Sequence, residues 1–89
     1  MTKSLAVGEV VFSLSGRDMG RFFVVTEVVD DTFVKIADGD LRRLSKAKLK
    51  KIKHLRSENA FLEKIGDKLR GKKVVHDVEI KSALKSFNG

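Results

Sequence analysis

Between Leu41 and Ser57 the chain carries Arg42, Arg43, Lys46, Lys48, Lys50, Lys51, Lys53 and Arg56, with His54 among them and no acid. Eight positive charges in seventeen residues repel one another, so the run is costly unless an anion shares its surface. A phosphate backbone supplies that anion, with lysine acting as a point charge and arginine as a bidentate fork. In an extended strand, Lys51 and Lys53 would share one face, and Lys50 would lie on the other with Ile52 and His54. The competing structural explanation is a highly charged edge strand that resists aggregation.

A second constellation is SGRDMGR, residues 15–21, set between EVVF and FFVVTEVV. It lacks the spacing of a Walker phosphate loop and opens no helix. Charges fill the gap between Gly16 and Gly20, which excludes a membrane dimerisation motif. What remains is a turn whose glycines permit positive φ and close backbone approach, flanked by Arg17 and Arg21.

Other combinations explain themselves more simply. His54 and His76 lie in different segments without cysteine, so no metal site or other cofactor is expected. Asp30-Asp31 and the Asp38/Asp40 pair suit turns better than acid–base chemistry. Ser13 and Ser15 lack a nucleophile-elbow setting. No catalytic constellation is found, and a non-enzyme is expected. Phe22 and Phe23 suit a core. With no Tyr or Trp, stacking platforms for splayed bases are scarce, which favours backbone and shape recognition of structured RNA.

The elements that would position these residues follow from hydrophobic pattern. At 89 residues the chain bounds one small core. Its 19 Lys and Arg against 12 Asp and Glu give a net charge of +7. Residues 1–40 carry −3 and residues 41–89 carry +10, an asymmetry that points to a polyanionic partner. Strands are expected over 8–14, with Val10, Phe12 and Leu14 on one face, then over 21–29 and 32–37. Asp38-Gly39-Asp40 carries a hairpin signal, and two short strands are expected over 41–44 and 49–54. Ser57 is expected to cap a helix with Phe61, Leu62, Ile65 and Leu69 on its stripe, ending near Gly71. Asp77 would cap another, presenting Ile80, Ala83, Leu84 and Phe87. Tight turns without crossover helices imply an antiparallel meander that curls into a small barrel.

The stretch VFSLSGRDMGRFFVV, residues 11–25, resembles the KOW motif, a hydrophobic strand, a Gly-basic turn and a second strand. The onward GRFFVVTEVVDDTFVKIADG and LRRLSKAKLKKIKHL are similar to KOW-bearing large-subunit ribosomal proteins of the archaeal and eukaryotic type. They are closer still to small bacterial KOW-domain RNA-binding proteins, whose C-terminal tail HDVEIKSALKSF also resembles. The resemblance implies a mainly β fold, a five-stranded antiparallel SH3-like barrel over residues 1–56, followed by a helical extension over 57–89. It also implies binding to RNA, above all ribosomal RNA, in the cytoplasm, as a ribosome-associated component of translation. By position Gly20 is the motif glycine, with Gly16 beside it. Arg17 and Arg21 are the loop bases, and Lys46, Lys48, Lys50, Lys51 and Lys53 the basic strand region; Arg42, Arg43 and His54 of the basic run complete the expected RNA-binding set. Met19 stands where the motif commonly has lysine. The runner-up is a KOW-type protein-interaction module of the transcription or translation machinery. No membrane attachment is expected, because the apolar stripe of 77–87 is needed for packing, and no small-molecule substrate is expected.

Overall fold

In the computed structural model, which describes residues 4–88, five strands precede three helices. The strands are β1 (Glu9–Ser13), β2 (Phe22–Val28), β3 (Phe33–Ala37), β4 (Lys48–Lys51) and β5 (Leu55–Phe61). The helices are α1 (Glu63–Arg70), α2 (Asp77–Ala83) and α3 (Lys85–Asn88). One-turn 3-10 segments at Leu44–Lys46 and Ile52–His54 flank β4. All pairings are antiparallel, and the sheet order is β4-β3-β2-β1-β5, with β4 and β5 at its edges.

The sheet is apolar on both faces. Val11, Phe23, Val25, Val34 and Ile36 form one core with Leu5, Ile52 and Leu55. Val10 and Val24, pointing the other way, form a second with Ile65 and Val75, and with Ile80 and Leu84 of the C-terminal helical segment. Of the face expected for β1, Val10 and Phe12 share the side of the second core, and Leu14 does not join them. Val10 and Val11 are both fully buried, whereas Leu14 lies beyond the strand and is 43% exposed. A strand covered on both faces loses the alternation that marks a half-exposed one. Phe23 fills the first core as expected, while Phe22 packs on Phe12 and Phe87 with ring centroids 4.9 and 5.5 Å away.

Three element assignments differ from the sequence expectation. No strand forms over 41–44, because side-chain carboxylates take the backbone donors a strand would use. Asp38 Oδ1 accepts from the N–H groups of Asp40 and Arg42 (3.0 and 2.8 Å), and Asp77 Oδ1 accepts from that of Leu44 (2.7 Å). The chain therefore turns at Asp38-Gly39-Asp40 without pairing at once into a hairpin. The expected strand 49–54 gives way after Lys51 to the second 3-10 turn.

Ser57, expected to cap a helix, lies within β5. It pairs with Val11 of β1, and its hydroxyl donates to the Glu9 carboxylate. The helix starts only at Glu63, so Ile65 and Leu69 of the expected stripe are helical and Phe61 and Leu62 are not. The last helix is divided at Leu84, but Ile80 and Leu84 are buried as its pattern requires, with Ala83 and Phe87 beside them. β5 runs past residue 56, where the sequence reading divides barrel from extension, and the helices share the second core with the sheet.

Candidate nucleic-acid interface

The loop after β1 is folded around one buried acid. Gly16 and Gly20 adopt φ of 86° and 89°, conformations that L side chains rarely take. Ser13 N–H donates to the Arg21 carbonyl and Gly20 N–H to that of Ser13, both at 3.0 Å. This reversal turns Asp18 inward, where it is only 3% exposed. Its Oδ1 accepts from Ser13 Oγ and from Lys50 Nζ, each at 2.8 Å. Lys50 Nζ also donates to the Ser15 carbonyl at 2.6 Å. Lys48 Nζ stands 3.9 Å from Asp18 Oδ2.

Burial alone would raise the Asp18 carboxyl pKa. The hydrogen bonds from Lys50 and Ser13, with the charges of Lys50 and Lys48, outweigh it and hold that pKa below the ordinary 3.8.

This network joins the two sequence constellations. Lys50 pairs with Val34 across β3–β4, so it shares the face of the first core and points inward, on the side of the core that Ile52 also enters. At 6% exposure, with its ammonium donating to the Asp18 carboxylate and the Ser15 carbonyl, Lys50 ties the loop to β4 and is unavailable to a phosphate. Lys48 is half-buried beside it. A further tie runs from Leu14 N–H to the His54 carbonyl at 2.9 Å, fastening the loop to the β4–β5 joint. His54 itself is half-buried.

The remaining candidates divide into paired and unpaired. Arg21 bonds Asp38 at 3.3 Å. Arg56 bonds Glu58 at 3.0 Å and lies over the Phe12 ring, 4.6 Å from its centroid. Among the described residues, Arg17, Arg42, Arg43, Lys46, Lys51 and Lys53 have no acidic partner. All but Arg42, which is half-buried, are exposed. Lys46 ends the first 3-10 turn, Lys51 ends β4 and Lys53 lies in the second turn, so an edge strand and its two flanking turns present them. The Asp18–Lys50 tie sets the loop carrying Arg17 against this edge.

Asp18 is the residue that sequence reasoning missed. The signal was present: an acid inside a Gly-Arg loop, in a chain whose longest basic run holds no acid of its own. An exposed cation with no partner attracts a phosphate oxygen by about 1 kcal/mol in water and by more where water is displaced. Several acting together give binding that falls with salt. No protein-family model matches the chain, and no curated protein matches its sequence.

Proposed function

We propose that this protein is a non-catalytic RNA-binding module of KOW type, which holds structured RNA, ribosomal RNA above all, against β4, its flanking turns and the Arg17 loop. The observation that carries this reading is the set of six candidate cations left without acidic partners, five of them exposed, while Arg21, Lys48, Lys50 and Arg56 are paired with the protein's own acids. A gatekept edge strand accounts for charge on β4 itself, and five of the six cations lie off that strand.

The SH3-like barrel is part of the same proposal. β4 and β5 are the two edges of the sheet, yet a single 3-10 turn joins them, and Ile52 of that turn lies in the first core with Leu55. β2 carries a register shift between Val25 and Glu27, a feature that bends a strand enough to serve both halves of a small barrel. Exposed aromatic platforms are scarce, since Phe61 is the only exposed aromatic among the described residues. Recognition then rests on phosphate geometry and RNA shape more than on base edges.

Crosslinking in cells followed by sequencing of the bound RNA identifies the target. In vitro, the double variant Lys51→Glu/Lys53→Glu should melt like wild type and bind a structured RNA hairpin at least tenfold more weakly. A folded double variant with wild-type affinity would remove the basis of this reading and favour a protein-interaction module.

A further inference from the structure

A pocket of about 420 Å³ opens where the turn after β3 meets the last two helices, lined by Arg21, Asp38, Asp40, Lys81, Ser82 and Lys85. Its volume falls in the range of small-molecule sites, roughly 300–1,000 Å³. No residue of β4 contributes to it.

The donors here exceed the acceptors. Arg21 spends one guanidinium nitrogen on Asp38, while its Nε is buried and has no hydrogen-bond partner. A buried donor without an acceptor costs on the order of 1–3 kcal/mol, and an acceptor that comes within reach of it recovers that loss. Among the described residues, neither the Lys85 ammonium nor the Ser82 hydroxyl has a side-chain partner. The two carboxylates do not cancel this surplus. Asp38 is consumed by Arg21 and by the N–H groups of Asp40 and Arg42, and Asp40 lies 3.7 Å from Lys81. Asn88, also in the lining, has both side-chain polar atoms bonded to the backbone of Phe22 and serves as wall.

We infer that this pocket binds a phosphate group, with Arg21 Nε–H, the Ser82 hydroxyl and the Lys85 ammonium as its donors. The charge balance is one positive charge in excess, and a compact tetrahedral anion has oxygens enough to accept from several donors of one pocket at once. The site does not depend on the RNA reading, because its donors sit on the turn before β2 and on the helices. The group can belong to a free phosphate, to a small phosphorylated molecule or to an RNA strand.

The test follows the side-chain Nε–H resonance of Arg21 by ¹⁵N–¹H NMR, assigned from its absence in Arg21→Lys. Wild type is titrated at constant ionic strength with inorganic phosphate, with adenosine monophosphate and with an RNA hairpin. Saturable shifts of Arg21 Nε–H and of the Ser82 and Lys85 amides are expected with at least one of them. Lys85→Ala, an exposed change, should weaken that binding at least fivefold. Shifts with phosphate or the mononucleotide assign a free phosphorylated ligand, and shifts with the hairpin alone assign an RNA phosphate. The inference is overturned if none of the three moves Arg21 Nε–H, or if Lys85→Ala binds as wild type does. A hairpin that binds through Lys51 and Lys53 and leaves Arg21 Nε–H unmoved overturns this site while sparing the RNA reading.

Discussion

Lys50 and Lys51 are sequence neighbours in opposite circumstances. Lys50 is enclosed with Asp18 and the Ser15 carbonyl, and Lys51 stands in solvent. Removing one partner of a buried pair leaves the other charge desolvated and uncompensated, at a cost of about 3–5 kcal/mol. Lys50→Ala should therefore lose that much in urea unfolding, and Lys51→Ala should stay within about 0.5 kcal/mol of wild type. Equal stabilities would show that Lys50 is not the anchor of the loop. The pH dependence has a definite sign. The Asp18 pKa is lowered in the folded protein, so its ionised form adds stability that is complete above the ordinary value of 3.8 and is lost as pH falls through the lowered one. The stability gap between wild type and Asp18→Asn should accordingly be widest near about pH 7 and shrink in acid below about pH 4. A gap that widens in acid would reverse the assignment.

At the scale of elements, the legible parts of the sequence were those whose signal is local. β1, β2 and β3 carry β-branched and aromatic runs bounded by turns, and Asp30 builds the turn between β2 and β3 by accepting from Thr32 and Phe33, both at 2.8 Å. The stripe Ile80, Ala83, Leu84, Phe87 placed the last helical segment correctly. What was not legible depends on distant partners. β5 is a strand because β1 offers it a backbone ladder, and SENAF carries little strand propensity of its own. The segment 41–44 bends because Asp38 and Asp77 hold its N–H groups. For the site, the basic run was plain, but which of its lysines face inward was not, since Lys50 is selected by an acid 32 residues away. The docking of α2 makes its own demand on Gly39. A Cβ there would come 2.1 Å from the Asp77 carbonyl oxygen and 2.9 Å from the Lys81 nitrogen, at a φ of 78°. Gly39→Ala should cost about 1–3 kcal/mol or more and raise hydrogen exchange across 77–83, and unchanged exchange there would contradict this packing.

Across the whole molecule, folding sorts the charges. Three acids of the first half are spent inward or in turns: Asp18 on Lys50 and Ser13, Asp38 on Arg21 and the backbone, Asp30 on its own turn. Along the edge strand and its two flanking turns, Lys46, Lys51 and Lys53 keep no such partner among the described residues, while Lys48 and Lys50 are held by Asp18. Among those residues no helix is long and apolar enough to cross a membrane. The surface left by this sorting suits a polyanion, and binding to it must release condensed counterions, each neutralised phosphate adding roughly 0.7–0.9 to the slope of log affinity against log salt. The most direct measurement is the affinity of the wild-type protein for a structured RNA hairpin from low to high salt. With six unpaired cations, of which most but not all can reach phosphates together, a slope of about −3 to −5 is expected. A slope near zero, or no binding even at low salt, would contradict the central claim.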